Sequence, residues 1–130
     1  MILFKFGNLI FDDYIKYDGY DPTPNARQDL DSYRDADGIL QRNALVHTST
    51  GIEFDTYAMW SSKFDQMIDA MVASYINYNE RDAMCEYYDF ETHKTKTGHF
   101  YLDSNWKPKV VRKVGDDIFY GETHFKFVEY

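Results

Sequence analysis

A mainly β fold of the α+β type, a β-sandwich or small barrel with one amphipathic helix packed on it, is predicted by three observations. Short stretches before and after residues 62–76 alternate apolar and polar side chains, as half-buried strands do. Between them one stretch carries apolar residues at helical spacing. The aromatic fraction is 18%, carried by 12 Tyr, 10 Phe and 2 Trp, and Tyr and Phe favour strands. A chain of 130 residues is the length of one domain, here 1–130, with an extended polar arm at about 21–43.

Taken in order, Ile2, Phe4 and Phe6 alternate with Leu3 and Lys5, and Gly7-Asn8 separates them from Leu9-Ile10-Phe11. A two-residue Gly-Asn link between apolar runs predicts a hairpin. Tyr14 to Tyr20 alternates weakly, as a further edge strand would. Asp21-Pro22-Thr23-Pro24-Asn25 is expected to break any ladder, because neither proline donates a hydrogen bond. Residues 26–38 are polar, with four aspartates and few apolar anchors, so the expectation is a long exposed loop or arm. Its candidate contact residues are Asp29, Asp31, Tyr33, Arg34, Asp35, Asp37 and Arg42. Ile52, Phe54 and Thr56 then alternate with Glu53, Asp55 and Tyr57, the pattern of a half-buried strand.

The helix is predicted over 62–76. Ser62 with Asp65 three residues on reads as a capping box. Phe64, Met67, Ile68, Met71, Val72 and Tyr75 follow at i, i+3, i+4, i+7, i+8 and i+11, one apolar stripe expected to lie against a sheet. Strands are expected again at Ala83–Phe90 and Thr97–Leu102 around a polar turn, at Val110–Val114 and Ile118–Tyr120 around Gly115-Asp116-Asp117, and at the end, where Phe125 and Phe127 share a face.

The net charge of −8 argues against specific nucleic-acid binding, which needs a basic stripe to displace phosphate counterions. The densest basic stretch, Lys107, Lys109, Arg112 and Lys113 interleaved with Pro108, Val110, Val111 and Val114, reads as the exposed face of a strand. No apolar run approaches a membrane span, and the first residues lack the basic start and cleavage site of a signal peptide. The expectation is therefore no membrane insertion.

No catalytic, cofactor or metal site is predicted. The lone Cys85 lies in an apolar–polar alternation and reads as a small buried hydrophobe. His47, His93, His99 and His124 show no zinc-binding spacing. Setting Gly38 at the sixth position of a calcium loop places Asp35 and Asp37 correctly, but Tyr33 and Ala44 then occupy the first and twelfth positions, where oxygen ligands belong. Lys96-Thr97-Gly98 matches one short motif of serine β-lactamases without the Ser-x-x-Lys or Ser-Asp-Asn that chemistry requires, and reads as a chance match in a turn.

Several segments fall in a recurring order: Thr23-Pro24, Arg34-Asp35-Ala36-Asp37-Gly38-Ile39-Leu40-Gln41-Arg42, Ile52-Glu53-Phe54, Trp60 before the helix, Thr97-Gly98-His99-Phe100-Tyr101-Leu102, and Phe125 to Tyr130. In that order and spacing the chain resembles the small minor tail proteins of siphophages infecting Gram-positive bacteria, which look like a reduced distal tail protein. Tyr88-Asp89-Phe90-Glu91 departs from that family's pattern, and the stretch between Ile76 and Ala83 is longer. The resemblance implies a tail-tube-like β-sandwich with a flanking helix, repeated as a homo-oligomeric ring, commonly a hexamer, near the distal end of the tail tube. It further implies other tail proteins (tube, tape measure, hub or tip) as partners, and a place in the virion after assembly in the host cytoplasm. Rings need two different, complementary surfaces on each subunit, and the arm and the hairpin edges are the candidates, by strand addition. A stand-alone protein-binding or receptor-binding module is the alternative reading, and a small enzyme the third.

Overall fold

In the computed structural model the Gly7-Asn8 link joins β1 (Phe4–Phe6) to β2 (Leu9–Ile10), with Phe6 opposite Leu9 and Lys5 opposite Ile10. Gly7 supplies the positive φ, +59°, that a two-residue hairpin link needs. The structure describes residues 1–26, 33–34, 40–41, 49–103 and 106–130, the backbone alone at 33–34 and 40–41. The fold is mainly β with one α-helix. Seven strands form an antiparallel sheet in the order β2-β1-β8-β9-β12-β6-β3, where β3 is Asp21–Ala26, β6 Ser49–Asp55, β8 Asp82–Asp89, β9 Lys94–Leu102 and β12 His124–Glu129. A smaller sheet, β10-β11-β7, is built from Val110–Val114, Asp117–Tyr120 and Met59–Trp60. β4 (Tyr33–Arg34) pairs with β5 (Leu40–Gln41).

Alternation decides what the large sheet buries. Thr50, Ile52 and Phe54 point inward from β6, and Phe125 and Phe127 from β12, while their neighbours stay partly or fully exposed. The sheet curls strongly over this aromatic face. β1 and β6 are four strand steps apart, about 19 Å in a flat sheet at roughly 4.8 Å per step, yet the Phe4 and Phe54 rings are 6.3 Å apart. The outer parts of the sheet meet. The Tyr20 hydroxyl donates to the Leu3 carbonyl at 3.3 Å, and the Asn25 amide donates to Asp89 at 3.1 Å. Among the described residues β2 and β3 do not pair, so the sheet remains open rather than a closed barrel. Phe127 sits at the centre, 4.9 Å from Phe4, 5.0 Å from Phe6 and 5.5 Å from Phe11.

The helix α1 runs Ser61–Ala73, slightly short of the expected 62–76. Trp60 is its N-cap with no side-chain hydrogen bond, so the Ser62/Asp65 capping box does not form. Ser61 instead accepts from the Ile118 N–H at 3.3 Å, tying the helix start to β11. Phe64, Met67 and Met71 are buried, and Ile68 is partly buried against the core. Phe64 stacks on Tyr120 of β11 at 3.9 Å, so the stripe does lie against a sheet, the smaller one. Val72 is 38% exposed and does not belong to the buried face. Tyr75 lies beyond the helix end and reaches the core from there, edge-on to Phe6 at 6.0 Å.

Three further expectations need correction. Tyr14–Tyr20 is not a strand: 3-10 turns at Phe11–Asp13 and Tyr17–Gly19 flank a single bridge from Ile15 to Thr56. They drive Phe11 and Ile15 fully inside, which a continuous edge strand would not. Asp21–Asn25 does not break the ladder. It is most of β3, paired with β6 and the edge strand among the described residues, where prolines are tolerated because one side needs no donor. Lys96-Thr97-Gly98 lies within β9, not in a turn. Of the arm residues, Tyr33 and Arg34 are in β4, and Asp29, Asp31, Asp35, Asp37 and Arg42 lie outside the described residues.

A candidate assembly surface

Two surface features follow from this architecture. The first is the β10–β11 hairpin. Gly115 takes φ +60° at its turn, and among the described residues nothing beyond its chain neighbours stands within 4 Å of where a Cβ would be. Every residue of β10 is exposed, including Val110, Val111 and Val114 at 54–59%. Sequence reasoning placed the cations on an exposed face, but the alternating valines are exposed as well. No layer covers either side of this strand among the described residues. Among the described residues β10 is also a sheet edge, and exposed apolar edges are sites for another chain. The register shifts between Val110 and Arg112, a bulge that interrupts the edge ladder. Beside it Trp60, Val111, Arg112 and Phe119 line a small hollow of about 240 Å³.

The second feature is an open groove of about 590 Å³ lined by Leu3, Tyr17, Tyr20, Pro22, Pro24 and Phe90. It lies along β3, where the curled sheet meets its opposite part. Pro22 and Pro24 are two residues apart, so both missing N–H groups fall on one side of β3 while the other side keeps the ladder to β6. Among the described residues β3 has no second partner, and the two prolines work against strand addition along that side. What it offers instead is an apolar hollow. Both tyrosine hydroxyls donate back into the chain, Tyr17 to the Asp12 carbonyl at 3.2 Å and Tyr20 to the Leu3 carbonyl at 3.3 Å. Asp13, Asp18 and Asp21, close to the lining residues in the chain, are exposed.

The titratable clusters lie elsewhere. Asp89, at the end of β8, is 1% exposed and bridges Lys96 at 2.6 Å, Asn25 at 3.1 Å and the Glu91 N–H at 2.9 Å. The Lys96 ammonium, helped by the Asn25 and backbone donors, holds its carboxyl well below the usual carboxylate range against the effect of burial. Asp82 is buried beside His99 at 2.6 Å, and that ring stacks on Tyr130 at 4.3 Å. Burial opposes ionisation of Asp82, but hydrogen bonds from His99 and the Asn77 N–H outweigh it and lower its pKa. His124 faces Asp55 at 2.9 Å on the surface, and His93 is exposed in the β8–β9 turn. His47 lies outside the described residues. Among the described residues neither groove is lined by an Asp, Glu, His or Cys. Among the described residues no group of three or more His, Cys, Asp or Glu stands close enough to hold a metal, and no helix is long and apolar enough to cross a membrane. Cys85 is 2% exposed, and burial pushes its thiol up to about 12, the small buried hydrophobe its alternation predicts.

The carboxylate clusters therefore read as locks on the β8–β9 hairpin and the chain end, and the hairpin and groove as contact surfaces. The valines were visible in the sequence, but not that both faces of their strand are uncovered. The groove has no local signature, because residues 3, 17–24 and 90 meet only when the sheet curls. A family model matches the chain over residues 2–130. No curated protein and no solved structure matches it.

Proposed function

The chain belongs to DUF6711, a family of unknown function, and from its surfaces we propose that it is an assembly protein: a structural component of a bacteriophage tail, forming a ring near the distal end of the tail tube and joining tube to tip. The observation that carries this reading is the valine-rich strand β10, which among the described residues is exposed on both faces and carries Arg112 and Lys113 on a protein of net charge −8. An uncovered apolar strand is an aggregation hazard on a protein that stays alone, and it is accounted for by burial against another subunit. The resemblance of its segment order to that of siphophage minor tail proteins supports the phage context. The partners proposed are further copies of this chain, in a ring such as a hexamer, and the tail-tube, tape-measure and hub or tip proteins.

The aromatic groove favours a second reading, a stand-alone protein-binding or receptor-binding module. Two measurements separate them. Peptide mass spectrometry of purified phage particles detects the chain if it is a tail part, and a map of the tail shows it as a symmetric ring. Replacing the exposed Val110, Val111 and Val114 by Thr leaves a folded chain and yields particles lacking it. A chain that is monomeric at high concentration and absent from particles overturns the tail reading.

A further inference from the structure

Among the described residues the free sheet edges are of three kinds. β2, β4, β5 and β7 have two residues each, β3 carries two prolines, and β10 has five residues and no proline. Of these, β10 offers the run of unpaired backbone groups best suited to another strand. Its bulge lies at its start. From Arg112 to Val114 it pairs residue for residue with Phe119, Ile118 and Asp117. Phe119 in turn faces Trp60, so Arg112, Phe119 and Trp60 form one cross-strand row. Strand alternation turns that row away from Tyr120, which stacks on the helix. The row and Val111 line the hollow of about 240 Å³, beside the free edge.

Charge limits what can cover this edge. Lys16, Lys96 and Lys126 stand beside carboxylates at 2.7, 2.6 and 3.7 Å. Lys107, Lys109, Arg112 and Lys113 are exposed, and among the described residues none of them stands in an ion pair. The hairpin's own carboxylates, Asp116 and Asp117, lie at its turn, and Asp117 is opposite Val114 rather than a cation. A second copy of β10 laid antiparallel along the first would bring Arg112 and Lys113 close to their own counterparts, and like charges across a strand pair oppose it. A strand bearing carboxylates meets no such repulsion. The cations therefore reject a copy of the same strand and admit an acidic one.

Resting on the assembly reading above, and naming the partner that covers β10, we infer that this edge accepts an added strand from a different protein, one that carries carboxylates beside aliphatic side chains. The added backbone continues the smaller sheet. An aliphatic side chain enters the hollow over Trp60 and Phe119, and carboxylates pair with Arg112 and Lys113. The assembly reading requires only that β10 be covered in the particle. The charge and the free edge together set what covers it.

Short synthetic peptides, blocked at both ends and titrated into the full chain, test this. One alternates Glu with Val, a second alternates Lys with Val, and a third is the Glu peptide with proline for its central valine. The Glu peptide binds about tenfold more tightly than the Lys peptide, and added salt weakens it. Its binding slows hydrogen exchange over β10. The proline peptide, of equal charge, binds about tenfold more weakly, because it cannot complete the ladder. In Arg112→Glu/Lys113→Glu, at exposed positions where circular dichroism stays unchanged, the preference reverses to the Lys peptide. Equal binding of the Glu and Lys peptides, slowed exchange only elsewhere, undiminished binding of the proline peptide, or no binding of any peptide overturns the acidic-strand site. The assembly reading stands in each case if the chain is found in purified particles. A chain absent from particles that still takes the Glu peptide at β10 overturns the tail reading and leaves the acidic-strand site standing.

Discussion

Adjacent residues of the helix separate its expected face from its observed one. Met71 is fully buried and Val72 is 38% exposed, although both fall on the apolar stripe. Truncating a buried Met to Ala costs about 2–5 kcal/mol, because the packing around the missing atoms relaxes only in part. At Val72 the loss of partly buried methyl groups, about 1 kcal/mol or less, is offset by the roughly 0.5 kcal/mol by which Ala outdoes Val in a helix. Met71→Ala should therefore lose about 3 kcal/mol and about 10 °C in melting temperature, and Val72→Ala should stay within about 0.5 kcal/mol of the parent. Urea titration followed by far-ultraviolet circular dichroism, at a concentration where the chain is monomeric, gives both midpoints. Equal losses at the two positions would refute the observed burial and restore the wider stripe.

Three further outcomes are expected. Gly7→Ala should cost about 2 kcal/mol or more, since φ is +59° and an added Cβ would stand 3.3 Å from the Ser74 Cα as well as against its side chain; a melting temperature within error of the parent excludes the tight packing of hairpin on helix end. Asp89 has its pKa depressed in the folded state by Lys96 and its other donors, so the unfolded chain takes up that proton first; the stabilisation is complete above about pH 5 and drains away as pH falls below about 4. Lys96→Met should lower stability at pH 7 and flatten the acid limb of stability against pH, because the buried Asp89 carboxylate loses its cation; an unchanged limb counts against the bridge. Cys85 should resist a thiol reagent until the protein unfolds, with labelling and unfolding tracking each other in urea; fast labelling of the native chain means the β1–β8 face is open.

Much of the β framework is legible in the residues, because side chains on a strand alternate strictly and one buried face imprints a period of two. Ile52, Phe54 and Thr56, and Phe125 with Phe127, name their inward faces without any knowledge of their partners. Gly7-Asn8 names its turn for an equally local reason, the positive φ that glycine accepts. The helix is legible as a helix, but its ends are not, since Ser61 finds its partner on β11 and Tyr75 reaches Phe6 from outside the helix. Whether Pro22 and Pro24 end a sheet or border it depends on whether anything lies beyond them, and only the position of β3 at the edge answers that. Whether Val110, Val111 and Val114 are core or surface depends on a covering layer that no local pattern encodes. The groove depends on the curl of seven strands, which brings Leu3, Tyr20 and Phe90 together from distant parts of the chain. Local conformation is written in neighbours along the chain, whereas edges, coverings and hollows are properties of what packs against what.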